Sequence, residues 1–246
     1  MKKKMIALLA GALMTLSASS AFAAFADLSL VRVVYQGSTN LEVATDLGNV
    51  NDLALTTNNV VGSGADAFTT KTGSASDLYV AYFAKLTTTP LSPTNLWLST
   101  SDSSSPLIQA RKYSMVGTTL GNALSYYNYV GGTTVQVAKS DSYSFYQMAE
   151  QNGNNIGSYG TVTVTNYLNT TDLAALATQG YVDSTLYAFN ANVAGAGTQA
   201  MVIRTMADGT TIINPQDAAP VPIPAAAYLL GSGLLGLVGI RRKARK

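Results

Sequence analysis

Strand-length runs of aliphatic, aromatic and β-branched residues recur from Leu28 to Ile213, and a turn cluster closes almost every one of them. Such spacing commits a chain to pleated sheet, because Val, Ile, Thr and Tyr suit a half-buried strand while Gly, Asn, Asp and Ser suit the turns between. Leu28 to Tyr35 and Leu41 to Thr45 flank a five-residue loop with Gly37 and read as a hairpin. Leu78 to Lys85 and Leu96 to Ser99 form the next pair, with Trp97 as a core residue. Thr133 to Ala138 and Tyr143 to Ala149 read as a second hairpin around Lys139-Ser140-Asp141-Ser142. Thr161 to Leu168 alternates most cleanly of all. Thr185 to Asn190, Met201 to Thr205 and Thr210 to Ile213 complete the strands, the last two joined by the hairpin signal Asp208-Gly209.

Two stretches break this pattern. Val116, Leu120, Ala123, Leu124 and Tyr127 recur at three- and four-residue spacings, which predicts a helix between Ile108 and Tyr129. Gly117 and Gly121 weaken it by about 1 kcal/mol each against Ala. Thr171 is expected to cap a short helix, Asp172 to Thr178, with Gly180 as its C′ residue. Asn58 to Thr72 reads as a polar connection. The fold expected is mainly β: one sandwich-like domain over 24–213 with one or two short helices.

Both ends carry different signals. Lys2, Lys3 and Lys4 precede the apolar run Met5 to Leu16, and Ala21-Phe22-Ala23 fits the small-residue rule for signal peptidase. The order predicts a secretory signal peptide over 1–23, with Ala24-Phe25-Ala26 as a second cleavage site. At the other end, a linker over 214–220 leads to Val221-Pro222-Ile223-Pro224-Ala225. Ala225 to Ile240 then carries no charge, and the basic cluster Arg241, Arg242, Lys243, Arg245 and Lys246 closes the chain. Sixteen helical residues span about 24 Å, short of the roughly 30 Å hydrocarbon core. Snorkelling of Arg241 and Arg242 makes up part of the difference, and the cluster stays cytoplasmic.

Motif, short apolar helix and terminal basic cluster together resemble the PEP-CTERM class of bacterial sorting signals, in its VPLPA-type variant, with Ile223 where that variant usually has Leu. The resemblance covers 221–246 alone. It implies recognition and cutting of the tail by an exosortase, an integral-membrane cysteine protease. The chain would pass through an inner-membrane-anchored precursor and end at the cell surface or in an exopolysaccharide matrix.

The body sets its own limits. Between Ala24 and Ala219 there are 13 acidic and 7 basic residues, a balance near −6, which provides no electrostatic footprint for nucleic acid. The chain has no Cys and no His, which removes Ser-His-Asp and Cys-His catalysis and His-ligated metal. Ser, Thr and Asn make up 61 of those 196 residues, with 13 Tyr. That composition is ordinary for a β protein, and it also resembles surfaces that recognise ligands through hydroxyls and rings.

An enzyme built from this chain would work through carboxylates, as glycosidases do. Glu42 and Glu150 are the two glutamates, and the aspartates fall in no motif that sets a catalytic separation. Lys139-Ser140 is a conceivable Ser-Lys pair, but is expected at an exposed hairpin tip. Asp66, Asp77, Asp102 and Asp141 lie in or beside loops where an irregular calcium site is conceivable and solvated turn chemistry is the simpler reading. The same holds for Asn152-Gly153-Asn154-Asn155. No catalytic residue, metal ligand or cofactor is assigned. Two functions stand: a non-enzymatic surface or matrix protein held by exopolysaccharide, and a polysaccharide-modifying hydrolase with a carboxylate pair in a groove.

Overall fold

A computed structural model describes residues 25–62, 78–86, 95–100, 107–108, 110–151, 171–172, 176–190 and 195–216. The signal-peptide residues Ala21 and Ala23, the strand expected over 161–168, Asp66, Asp77, Asp102, Asn152 to Asn155 and the whole tail from Val221 lie outside the described residues. Among the described residues, no helix is long and apolar enough to cross a membrane.

Twelve strands are described: β1 (Ser29–Gln36), β2 (Glu42–Asn49), β3 (Asn59–Val61), β4 (Leu78–Lys85), β5 (Leu96–Thr100), β6 (Leu107–Ile108), β7 (Thr134–Val137), β8 (Thr171–Asp172), β9 (Tyr181–Phe189), β10 (Gly195–Ala196), β11 (Thr198–Met206) and β12 (Thr211–Ile213). Helices are α1 (Val50–Ala54), α2 (Ala110–Val130) and α3 (Leu176–Gln179), with a π-helical turn over Tyr146–Gln151. The protein is mainly β, as the run pattern predicted. A continuous antiparallel sheet ordered β3-β12-β11-β9-β5-β4-β1-β2-β7, with β8 on β4, takes the place of two separate sandwich sheets. β6 and β10 form a small separate pair.

The sheet curls. Four strands lie between β1 and β12, so in a flat sheet the two would stand about 24 Å apart at about 4.8 Å per strand. Yet Arg32 Nη1 on β1 donates to Thr211 Oγ1 on β12 at 3.0 Å. Strand alternation then gives each face its own core. Leu30, Val34, Val80, Tyr82, Trp97, Leu186 and Ile203 fill the concave side. Val31, Val33, Ala81, Phe83, Leu98 and Phe189 line the convex side, where α2 presents Val116, Leu120, Ala123, Leu124 and Tyr127. Those are the five residues whose spacing predicted the helix, and it fills nearly all of the stretch from Ile108 to Tyr129.

The β1–β2, β4–β5 and β11–β12 pairs form as read, with Tyr35 opposite Glu42, Phe83 opposite Leu98 and Thr205 opposite Thr211. Gly209, at φ +86°, supplies the left-handed residue of the last turn, and Asp208 Oδ1 accepts from Thr210 N at 2.8 Å. Two expectations fail. β7 pairs with β2, not with 143–149, because the Phe145 and Tyr146 N–H groups are taken by the Glu42 carboxylate. Ser144 Oγ accepts from Gln147 N at 3.1 Å and starts a helical turn there instead. Thr171 also caps no helix: Thr171 and Asp172 pair with Val80 and Tyr79. The described helix spans Leu176–Gln179, and Gly180 (φ +76°) closes it through Gly180 N to Leu176 O at 3.1 Å. Asn214, first residue of the expected linker, is tied into the body by Val202 N to its Oδ1 at 3.0 Å and its Nδ2 to Thr56 O at 2.8 Å.

Candidate functional site

Glu42 opens β2 on the convex face and is 0 % exposed. Three donors converge on it. Tyr127 OH reaches Oε1 at 2.6 Å and Phe145 N reaches the same oxygen at 3.0 Å, while Tyr146 N reaches Oε2 at 2.8 Å. One carboxyl thereby fastens α2 and the π-helical turn to the sheet. Burial pushes Glu42 up to about 7 against the lowering by its three donors, with the nearby Asp141 charge adding to the rise. Tyr127 rises well above its ordinary value, through burial first and the Glu42 charge second.

Beside this clamp, Lys139 is buried rather than exposed at a hairpin tip. Its Nζ donates to Gln36 O and Gly37 O, both at 2.7 Å, and lies 4.5 Å from the Tyr146 ring centre. Two carbonyls and a ring hold this amino group, which ties the 138–145 segment to the end of β1. Ser140 itself is joined to Asn40 by Ser140 N to Oδ1 at 2.7 Å and Nδ2 to Ser140 Oγ at 2.9 Å. The β1–β2 loop and the 138–145 segment therefore form one braced corner.

On the outer side of that corner lies a cavity of about 400 Å³ lined by Asn122, Ser125, Tyr126, Tyr129 and Tyr143. Four come from the exposed side of α2, at helical spacings of three and four, and Tyr143 comes from the turn that Glu42 and Ser144 hold. Tyr129 is 88 % exposed and Tyr143 55 %. Tyr126 donates to Asp141 Oδ2, which fixes its ring; burial and that carboxylate push its phenol up to about 12. The Tyr126 and Tyr143 ring centres stand 6.3 Å apart with planes 39° from parallel. The wall is mostly ring carbon, with hydroxyl and amide groups at its rim.

The sequence candidates thus part company. Glu42 is a buried structural carboxyl, and Asp141 is spent on Tyr126. Glu150 lies in the π-helical turn. Among the described residues no cluster of acidic side chains fits a metal ion. The tyrosines of the cavity carried no motif; the one available signal was Tyr126 and Tyr129 falling outside the apolar helical stripe, while Tyr143 opened a run read as strand. The chain matches no protein-family profile, no curated protein and no solved structure.

Proposed function

We propose that this is an exported, non-enzymatic surface or matrix protein that holds a neutral exopolysaccharide on the Tyr126–Tyr129–Tyr143 wall. That aromatic wall is the observation that carries the reading. A sugar ring has an apolar C–H face and a rim of hydroxyls, which matches ring carbon bordered by Asn122, Ser125 and phenol groups. Among the described residues that line the cavity there is no Lys or Arg, which favours a neutral polymer over an acidic one. Two or three stacked rings at about 0.5–1.5 kcal/mol each give weak binding per site, about millimolar at its tightest. A long polymer or a crowded surface raises it by repetition.

Support for the non-enzymatic side comes from Glu42, whose two oxygens face three internal donors and no solvent. Export and exosortase sorting rest on the two terminal signals, Ala21-Phe22-Ala23 and Val221 to Ala225 with its basic cluster, Arg241 to Lys246. Phe25 favours the earlier signal-peptidase site. Its ring packs 5.3 Å from Tyr127 and its N–H donates to Asp46 Oδ2 at 2.8 Å, so cutting after Ala26 would strip a core residue. The mature chain then begins at Ala24, is anchored in the inner membrane by its tail, and is released by cleavage at the proline motif.

The test is affinity electrophoresis of the full chain in mild detergent through gels containing neutral exopolysaccharide from the native host. Wild type is retarded, and a Tyr129→Ala, Tyr143→Ala variant with native Trp97 emission is not. Equal retardation of both overturns the reading.

A further inference from the structure

Arg32 stands in the middle of the concave core, 1 % exposed, between Leu30 and Val34 along β1. Nη1 donates to Gly209 O at 2.5 Å and Thr211 Oγ1 at 3.0 Å, which uses both of its hydrogens. Nη2 reaches Thr45 Oγ1 at 3.5 Å, the outer limit of a hydrogen bond. Nε has no hydrogen-bond partner. Among the described residues the polar side chains nearby are hydroxyls: Tyr82, cross-strand to Arg32, is hydrogen-bonded to Thr205 Oγ1 at 2.6 Å. None of them carries a negative charge. Among the described residues the one ion pair is Arg204 with Asp183, elsewhere on the sheet.

A guanidinium keeps its charge at any working pH, so it cannot escape burial by losing a proton as a lysine would. Buried charges are normally paired. The N–H of Nε and one N–H of Nη2 point the same way and form the side-on fork that carboxylates use. In Arg32 that is the edge without a full protein acceptor. The opposite edge is closed: a Cβ added at Gly62 would lie 3.6 Å from Nη1 and 3.2 Å from Leu47 Cδ2.

We propose that the Nε/Nη2 edge of Arg32 binds a small monovalent anion, of chloride or formate size, inside the curled sheet. One guanidinium balances one charge, and Leu30, Val34 and Tyr82 belong to the same buried cluster, closed to larger solutes. The anion completes the polar row that Thr45, Arg32 and Tyr82 form across β2, β1 and β4, facing Thr205 and Thr211. It acts as an internal counter-ion that couples the central strands to the β11–β12 hairpin.

The experiment compares urea unfolding of the full chain in mild detergent, followed by Trp97 emission, at constant ionic strength. Sodium gluconate, too large for the site, is replaced stepwise by sodium chloride in one arm and sodium formate in another. The folding constant of wild type should rise by the factor 1 + [anion]/Kd, about tenfold per tenfold of anion once above Kd. Arg32→Met, which keeps the side-chain length without the charge, should not respond. Equal curves in gluconate, chloride and formate overturn the proposal, as does an equal response of the variant. A second readout needs no variant: the chloride NMR line should broaden with folded wild type and narrow when formate is added. A line no broader than with urea-unfolded chain also overturns it.

Discussion

Replacing Glu42 with Gln separates the two forces that act on this carboxyl. Burial favours the protonated form, and the donors Tyr127, Phe145 N and Tyr146 N favour the ionised one. Burial wins, lifting the group from 4.5 to about 7. Because the native carboxyl holds its proton more tightly than the unfolded one, its contribution is fully present below about pH 4.5. That contribution is lost as pH rises through about 7. At about 1.4 kcal/mol per pKa step, the loss is about 3 kcal/mol for this fully buried group. Gln has no such dependence but a fixed cost. If its carbonyl keeps Phe145 N and Tyr127, its amide nitrogen faces Tyr146 N–H, and one buried donor goes unmet at about 1–3 kcal/mol. Glu42→Gln should therefore be the less stable protein at pH 4.5 and should draw level with or pass wild type by pH 8. Titrating groups far from the clamp are common to both chains and cancel in the difference. Urea unfolding followed by the single Trp97, which is buried at 4 %, measures it at each pH. A gap that stays within about 0.5 kcal/mol from pH 4.5 to 8, or widens, refutes the reasoning.

Tyr127→Phe should cost about 1–3 kcal/mol at pH 8, because it strips one donor from the buried carboxylate. It should also shift the Glu42 transition to still higher pH, read from the same urea series. Gly209→Ala should lower stability by about 1–2 kcal/mol, since an L residue is strained at φ +86° in the β11–β12 turn; thermal unfolding measures it. Replacing Pro222 and Pro224 with Ala should leave uncleaved protein in the inner membrane, because the extended approach to a protease is lost while the helix can lengthen. An immunoblot of membrane and medium fractions decides it, and wild-type amounts in the medium would make the motif a mere linker.

Much of the fold was legible where local pattern and tertiary packing agree. Val116 to Tyr127 marked a helical stripe that the convex core needs, and Asp208-Gly209 marked a turn its backbone demands. Tyr143 to Ala149 failed for a physical reason: a β-like composition was overruled by a carboxylate more than a hundred residues earlier in the chain. Nothing local to Glu42 announces that it will accept from Phe145 and Tyr146. Lys139 misled in the same way, since its burial depends on Gln36 and Gly37 carbonyls across the corner. The short β3 and α1 lie within polar sequence with no local pattern to mark them, and they form because the β11–β12 hairpin and Asn214 supply partners. The curl itself is a property of the whole sheet, and no single run encodes it. Of the tyrosine wall, Tyr126 and Tyr129 were visible only as residues left over from the apolar stripe, and Tyr143 carried no signal at all.

Fractionation of native cells tests the central claim most directly. Wild type and the Tyr129→Ala, Tyr143→Ala variant are compared in cells that make exopolysaccharide and in cells that do not, with total secreted amounts matched. Retention of wild type in the matrix, its release to the medium when exopolysaccharide is absent, and release of the variant in both backgrounds is the predicted result. Variant and wild type held equally in the matrix, or wild type retained without any exopolysaccharide, would contradict the account.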